Sequence, residues 1–231
     1  MANDKKILVV GDMHAPFACT KTLAKIYEIA KDEKPDFIVQ LGDLYDFFCF
    51  SRYARSMDWM LPGEELAQGR EQAEEFWKTI KKAAPKAQCF QILGNHDERP
   101  VKRVLEKAPE LESIMKVHDY FKFPGVRTLK DAREELVIGD ILFHHGYLSG
   151  KGQHKRKNGM KFVGGHSHLG YVDYEVLAGK VLWELNAGYV GDPTSPVFAY
   201  TPQKANFKTR GVGLIDKYGP RFICLEPDER K

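Results

Sequence analysis

Three short apolar runs in the first hundred residues each end in glycine followed by an acid or an amide. The runs Ile7–Val10, Asp36–Leu41 and Cys89–Leu93 lead directly into Gly11-Asp12, Gly42-Asp43 and Gly94-Asn95. Short apolar runs bounded by turn residues are typical of buried strands. Between the first two runs, Thr22–Lys31 carries apolar residues at helical spacing. The two runs and this helix are therefore predicted to form a strand–helix–strand unit. Such units form parallel strands with a right-handed crossover, so Asp12 and Asp43 are predicted side by side at one sheet edge.

The second half of the chain changes to paired β-type runs. Turn signals typical of hairpins separate these runs at residues 139–140, 178–180 and 218–219. The chain has 231 residues, of which 43% are hydrophobic and 29% charged, and these values exclude a disordered chain. A chain of this length can bury a large core. We predict a single domain over residues 1–231, with a βα half followed by a β-rich half.

Composition also bears on the surroundings of the protein. No segment reaches the ~18 apolar residues that a membrane-spanning helix needs, so no membrane association is expected. The four cysteines show no C-x-x-C spacing, which favours free thiols in a reducing compartment. The net charge of +3 is too small to indicate nucleic-acid binding by itself. A cytoplasmic location is therefore the expectation.

Five strand ends carry side chains of the types that can bind metal ions. These are Asp12, His14, Asp43, Asp46, Asn95, His96, His145, His166 and His168. Histidine, carboxylate and amide groups together suit Mn²⁺, Fe²⁺ or Zn²⁺, and the lack of a thiolate disfavours a structural zinc site. Two ions about 3.5–4 Å apart would use more of these groups than one ion can, with Asp43 as the bridge. Such a pair binds a phosphate and supplies a hydroxide nucleophile near neutral pH.

The order of these motifs resembles the calcineurin-like metallophosphoesterases. The family order G-D-x-H, G-D-x-x-D, G-N-H-D, H-G and G-H-x-H is present here as Gly11–His14, Gly42–Asp46, Gly94–Asp97, His145-Gly146 and Gly165–His168. The resemblance covers residues 7–168 at least. It implies an α/β (α+β) fold, a four-layer αββα sandwich of two mixed β-sheets flanked by helices. The strand pairs after residue 168 are assigned to the second sheet of that sandwich.

The resemblance also implies a role for each position. One ion would be held by Asp12, His14, Asp43 and His168, and the other by Asp43, Asn95, His145 and His166. His145 is preferred to His144 because the family ligand directly precedes a glycine. His96 would serve as general acid during attack by a metal-bridging hydroxide, and Asp46 would orient His96 and favour its cationic form. Mn²⁺ is the expected metal, with iron, zinc, nickel or cobalt as alternatives.

The substrate is predicted from what the chain lacks. Serine/threonine phosphatases of this family carry an arginine after G-D-x-x-D and another before G-N-H, but Phe47 and Leu93 occupy those positions here. The chain looks more like the phosphodiesterase and repair-nuclease branch, which includes short phage and bacterial members. We therefore predict phosphodiester hydrolysis on a nucleotide or on single-stranded nucleic acid. The alternatives are a phosphomonoesterase and a non-catalytic nucleic-acid-binding module.

Basic and aromatic residues near the motifs leave further alternatives open. Arg99 and Arg52 are candidates for binding the substrate phosphate. A cap insertion is predicted at about residues 47–63, and its aromatic residues would either stack a base or pack the cap onto the core. The basic stretch Lys151–Lys161 would either follow a nucleic-acid backbone or form a solvated loop. The sequence does not determine the oligomeric state.

Overall fold

The computed structural model describes residues 5–51, 60–111, 117–148, 150–198 and 208–226. Within these ranges, one sheet contains the strands β1 (Ile7–Val10), β2 (Phe37–Gln40), β3 (Gln88–Gln91), β4 (Val126–Thr128), β10 (Gly211–Asp216) and β11 (Gly219–Cys224). The other contains β5 (Leu136–Ile138), β6 (Ile141–Phe143), β7 (Lys161–Gly164), β8 (Gly170–Leu177) and β9 (Lys180–Ala187). The strand orders are β11-β10-β1-β2-β3-β4 and β5-β6-β7-β9-β8.

Four α-helices accompany the sheets in the described residues. They are α1 (Thr20–Glu33), α2 (Pro62–Ala83), α3 (Arg99–Lys107) and α4 (Gln153–Asn158). Short 3₁₀ turns lie at Phe48–Phe50, Pro109–Leu111, Val117–Phe121 and Pro196–Phe198. The fixed φ of proline suits Pro62 to the first turn of α2, and that helix ends just before Pro85, which lacks the N–H needed to continue it.

The first sheet begins with the predicted crossover unit. Strands β1, β2 and β3 are parallel and in step, so that Ile7 lies opposite Phe37, which in turn lies opposite Gln88. The loops that follow the three strands therefore leave the sheet at the same edge. This register brings Asp12, Asp43 and Asn95 to one edge, which confirms the prediction for the two aspartates.

Strand side chains alternate between two cores. Leu8 and Val10 of β1 pack on the side of α1 and α2, against residues such as Ile26 and Phe76. Ile7 and Val9 point to the other face, where they join the core between the two sheets, together with residues such as Leu185. A strand buried on both faces has to be apolar throughout, which explains the continuous apolar runs in the sequence.

Helix α4 lies on the outer face of the second sheet and completes the fourth layer. The buried Glu184 carboxylate of β9 accepts the backbone N–H groups of Gly152 and Lys155, both at 3.0 Å, and so fixes the start of α4. Helices, sheet, sheet and helix form the predicted αββα sandwich, which is confirmed. This layer is thin in the described residues, since α4 has only six residues.

One assignment from the sequence is wrong. The last strand pair, β10 and β11, joins the first sheet beside β1, and only the pair β8 and β9 belongs to the second sheet. Strands β2 to β4 all lie on one side of β1, which leaves its other edge open for pairing. The buried side chains of Val212 and Leu214 in β10 extend the core beneath the helices. The hairpin signal identified a strand pair but not the sheet that it joins.

The aromatic segment predicted as a cap insertion is only partly described. Phe47 and Phe48 are buried, and the Glu65 side chain of α2 accepts the backbone N–H of Cys49 at 2.8 Å. The first residues of the segment therefore pack onto the core. Residues 52–59, which include Arg52 and Trp59, lie outside the described residues, and the single-domain and cap predictions stay predictions.

The features that bear on cellular location are limited. No helix in the described ranges is both long enough and apolar enough to cross a bilayer. Cys19, Cys49, Cys89 and Cys224 are free thiols. The cytoplasmic location stays a prediction.

Candidate metal centre

Both sheets contribute side chains to one site. The loops after β1, β2 and β3 supply Asp12, His14, Asp43, Asp46, Asn95 and His96, and the loops after β6 and β7 supply His145, His166 and His168. Several backbone hydrogen bonds hold these loops together. The N–H of His14 donates to the Asp43 carbonyl at 2.8 Å, and the N–H of His166 donates to the Asp12 carboxylate at 3.0–3.1 Å. The second of these bonds joins the two sheets directly at the site.

The backbone is strained where the predicted ligands lie. Among the described residues, eight non-glycine residues have positive φ, and five of them are predicted ligands, namely Asp12, His14, Asp43, His166 and His168. Such conformations cost free energy and persist where the surrounding structure imposes them, often at functional sites. The strained backbone therefore gives these loops the shape that positions the five side chains.

Two glycines allow the loops after β2 and β3 to approach each other. A Cβ atom at Gly94 would overlap the backbone N and the Oδ1 atom of Asp43, and a Cβ at Gly42 would lie 2.5 Å from the backbone N of Gly94. Gly42 also has a φ of +94°, which side chains rarely adopt. The glycines directly before Asp43 and Asn95 are therefore a steric requirement.

On one side of the site, the lone pairs of two histidines converge. His14 donates its Nδ1–H to Asp46 Oδ2 at 3.0 Å, because a carboxylate accepts, and this leaves Nε2 without a proton. That Nε2 lies 3.0 Å from Nε2 of His168. Two nitrogens that each bind one ion at about 2.1 Å would lie roughly 3–3.5 Å apart. Asp12 completes this group, whose ligand atoms lie within 4.8 Å of one another.

On the other side, acceptor atoms face each other. His145 donates Nδ1–H to the Leu41 carbonyl at 2.9 Å. Its Nε2 lies 3.1 Å from Asn95 Oδ1 and 3.3 Å from Asp43 Oδ2. His166 Nδ1 is 2.9 Å from the same Asn95 oxygen. A cation or a proton must separate such acceptors, so the donor set fits a divalent ion.

Burial and charge set the protonation of this cluster. Burial raises the pKa of Asp12 to about 7, and the nearby Asp43 carboxylate adds to the effect. Burial would lower the pKa of His145, but Asp43 and Asp12 outweigh it and raise the value to about 10. A proton on His145 thus balances the buried carboxylates among the protein groups alone. A divalent cation would supply the same compensation with more charge.

The other three predicted histidine ligands are neutral. Burial lowers the pKa of His14 and His168, and burial together with the His145 charge lowers that of His166 to about 4. Neutral imidazole is the form that binds metal ions. These histidines therefore present lone pairs at neutral pH.

His96 lies beside the cluster but faces other partners. A group of His14, Asp43 and His96 also lies within 4.8 Å, so proximity alone does not separate His96 from the ligands. Its Nδ1–H donates to the Asp46 carbonyl at 3.1 Å, and its Nε2 accepts from Arg99 Nη2 at 2.8 Å. An ion at that nitrogen would meet the guanidinium charge. This arrangement favours the non-ligand role predicted for His96.

Asp46 contacts more groups than the sequence indicated. Its Oδ2 is 3.4 Å from His96 Nδ1, and its orienting role stays a prediction. It also accepts from His14, and its Oδ1 accepts from Arg99 Nη1 at 3.2 Å. Burial alone would raise the pKa of Asp46, but His96 and His14 outweigh it and lower the pKa. Asp46 therefore links the predicted acid, one predicted ligand and the nearest cation.

Two features of the site have opposite effects on the protonation of His96. Burial lowers its pKa, but the Asp43 and Asp46 carboxylates outweigh burial and raise it. The hydrogen bond from Arg99, however, requires Nε2 to be unprotonated. With Arg99 donating to Nε2, His96 is neutral and carries its proton on Nδ1. Protonation of Nε2 requires Arg99 to move away.

Two residues near the site were not predicted from the sequence. Lys208 Nζ lies 4.5 Å from the centre of the Phe198 ring, which itself lies 5.3 Å from the His14 ring. Asp97 is buried and accepts backbone N–H groups from Gly94 at 2.8 Å and from Tyr45 at 3.0 Å. The G-N-H-D motif contained a signal for Asp97, whereas no motif surrounds Lys208.

The remaining histidines lie away from the ligand groups. His144 accepts the Gly146 N–H at 2.9 Å, and His154 stacks on Phe162 at 4.4 Å between ring centres. His118 is exposed. The structure therefore places His145, and not His144, in the candidate metal centre.

Chelation is expected to destabilise the protein. A ligand present at a thousand times its Kd stabilises the native state by about 4 kcal/mol, which corresponds to about 10 °C in Tm for a chain of this size. Calorimetry of Mn²⁺-loaded and chelator-treated protein measures this shift. The exposed-loop variant Asp140→Asn should show the same shift as the wild type. Equal Tm values for metal-loaded and stripped protein would contradict the site.

The chain is similar to two bacteriophage proteins and to several solved structures. The Gene 54 proteins of the Mycobacterium phages D29 and L5 are 28% and 27% identical to it, with 80% of this chain and 78% of each relative covered. Among solved structures, the Escherichia coli phosphoesterase YfcE has a TM-score of 0.43 at 15% identity, covering 91% of this chain and 88% of its own. Chaetomium thermophilum Vps29 has a TM-score of 0.49 at 14% identity, with 97% and 89% covered.

The decisive match is to a family model. The model for calcineurin-like phosphoesterases matches residues 5–214, a range that includes every strand end at the site. The motif order in the sequence and the sandwich of two mixed sheets agree with it. The chain therefore belongs to the calcineurin-like phosphoesterases.

Proposed function

We propose that this protein hydrolyses phosphodiester bonds in a nucleotide or nucleic acid with the help of two divalent metal ions, Mn²⁺ being the expected metal. The family consists of metal-dependent hydrolases, and the converging acceptor atoms of the site suit such ions. The choice of a diester rests on the absence of two arginines, because Phe47 and Leu93 stand where the phosphatase branch carries the cations for a monoester. Arg99 beside His96 supplies one positive charge, which matches the single negative charge of a diester.

The ligands divide into two groups that share one residue. Asp12, His14, Asp43 and His168 would hold one ion, and Asp43, Asn95, His145 and His166 would hold the other. When bound, the two ions neutralise phosphate charge and make water a nucleophile at neutral pH. The surrounding protein fixes the ligands: the Leu41 carbonyl holds His145, and Asp46 holds His14. Such outer partners orient the ring and select its tautomer.

The departing oxygen needs a proton, and we assign its donation to His96. Its Nδ1–H is held by the Asp46 carbonyl, so the proton for the substrate is carried on Nε2. A negatively charged substrate that draws Arg99 away would free Nε2 to accept that proton from water. Arg99 would then contact the phosphate oxygens, and Asp46 would stabilise the imidazolium.

A phosphomonoesterase is the second candidate, and Lys208 favours it. Lys208 lies on the His14 side of the cluster and Arg99 on the His96 side, so two cations flank the site. Together they would provide the charge that the absent arginines supply in the phosphatase branch. Burial lowers the pKa of Lys208, although the nearby Asp46 charge opposes this.

The two candidates differ in the preferred substrate charge. Chelator-stripped protein reloaded with Mn²⁺ is assayed with bis-p-nitrophenyl phosphate and with p-nitrophenyl phosphate. We expect kcat/KM for the diester to exceed that for the monoester by about tenfold or more. Faster release from the monoester, lost in Lys208→Ala, would establish the phosphomonoesterase instead. Fully metal-loaded protein that hydrolyses neither ester but binds nucleic acid would support the non-catalytic alternative.

A further inference from the structure

A groove leads away from the metal centre along α3. It has a volume of about 480 Å³. Its walls include Phe50, Asn95, Arg99, Lys102, Arg103 and Glu106. Because Asn95 is a predicted ligand and Arg99 contacts His96, the groove opens directly from the site of the proposed reaction. Anything bound in it would be continuous with a substrate at the metal ions.

The groove carries a surplus of positive charge. Residues 99, 102, 103 and 106 are three or four positions apart on α3 and so share one face. Lys102 pairs with Glu98 at 2.8 Å, and Arg103 lies 3.9 Å from Glu106. The side chains of Lys102 and Arg103 are 56% and 44% exposed. Such exposed pairs contribute little free energy, so an anion can compete for both cations.

An aromatic ring also lines the groove. Phe50 is only partly buried, and its ring is held edge-on against Phe47 with 6.1 Å between ring centres. Aromatic rings beside cationic side chains are the combination that binds single-stranded nucleic acid, with bases stacked and phosphates paired. A small diester such as bis-p-nitrophenyl phosphate would leave the cations of this groove unused.

We propose that the groove binds the nucleotide next to the scissile phosphodiester of a single-stranded nucleic acid. Lys102 and Arg103 contact its phosphate, and Phe50 stacks on its base. The inference rests on the proposed phosphodiesterase activity and extends it from small diesters to a polynucleotide chain. Arg99 lies between the groove and His96, where it contacts the scissile phosphate.

The salt dependence of binding tests the groove without turnover. Fluorescein-labelled octathymidylate is titrated with chelator-treated protein, and anisotropy is measured over a range of KCl concentrations. Each lost phosphate contact reduces the slope of log K against log salt by about 0.7. Because Lys102 and Arg103 contact the same phosphate, we expect Lys102→Ala/Arg103→Ala to reduce the slope by about 0.7 and to weaken binding at low salt about tenfold. Phe50→Leu should weaken binding about tenfold and leave the slope unchanged.

A matched control lies on another helix. Lys78 of α2 is 80% exposed and, like Lys102, pairs with a glutamate. Lys78→Ala should reproduce the wild-type slope and affinity. An unchanged slope in the double variant, or an equal change in Lys78→Ala, would overturn the proposal.

Turnover separates failure of the groove from failure of the proposed function. With Mn²⁺, the double variant should lose at least tenfold more kcat/KM on octathymidylate than on bis-p-nitrophenyl phosphate, chiefly through KM. Equal losses on both substrates would show a general effect on the fold and would overturn the groove proposal. If the wild type hydrolyses no diester, the proposed function fails, while the anisotropy slopes still decide whether the groove binds nucleic acid.

Discussion

Replacing Asp43 with asparagine is expected to lower kcat by about a thousandfold or more and to reduce the bound metal. Asp43 is the residue shared by the two proposed ligand groups, and its Oδ2 lies 3.3 Å from His145 Nε2. The substitution keeps the shape but removes a buried negative charge. Loss of several kcal/mol of transition-state stabilisation by metal corresponds to about three powers of ten in rate.

Metal content and rate have to be measured together in this experiment. Plasma mass spectrometry gives the metal-to-protein ratio after reloading, and bis-p-nitrophenyl phosphate gives kcat. Asp140→Asn removes a carboxylate from an exposed turn, where it pairs with Lys161, and should leave both quantities at wild-type values. An Asp43→Asn protein that keeps full metal content and full rate would exclude Asp43 as the bridging ligand.

Replacing His96 with asparagine is expected to slow the reaction and to leave the metals bound. General acid catalysis contributes about 10²–10⁴ in rate, and the loss should depend on the leaving group. p-Nitrophenolate departs without a proton, whereas a nucleoside alkoxide needs one. The variant should therefore lose about a hundredfold or more on a dinucleotide and much less on bis-p-nitrophenyl phosphate.

The leaving-group comparison distinguishes His96 as an acid from His96 as a ligand. A ligand role would reduce the metal content and would slow both substrates alike. His144→Asn provides a matched control, since His144 is a histidine outside the ligand groups. It should retain metal content and the ratio of the two rates. Equal losses of His96→Asn on both esters would refute the acid assignment.

The sequence predicted the parts of the site that local chain geometry determines. Asp12 and Asp43 follow parallel strands of one crossover unit, and right-handed connection leaves a single edge for both. The glycines before Asp43 and Asn95 reflect the close approach of the loops after β2 and β3. Both features depend on short stretches of chain, so the motif order was sufficient to predict them.

Contacts between distant segments could not be predicted from the motifs in this way. Lys208 contacts the Phe198 ring, although no motif in the sequence surrounds this lysine. Strand β10 pairs with β1, although about 200 positions separate the two strands. Arg99 was a candidate from proximity to the motif, but its bond to His96 Nε2 depends on side-chain conformation. Pairings of this kind are decided by which edge remains open and by packing of the whole core.

The pairing of β10 with β1 has a consequence for biosynthesis. Strand β1 bears the first predicted ligand just beyond its end, yet it gains its second neighbour only from Gly211–Asp216. During translation, β1 therefore presents an unpaired edge until about 200 further residues have been made, and such an edge can pair wrongly with other chains. Both flanks of the ligand-bearing strand are secured only when β10 has been synthesised, so the loop that carries Asp12 gains its final support long after its own synthesis.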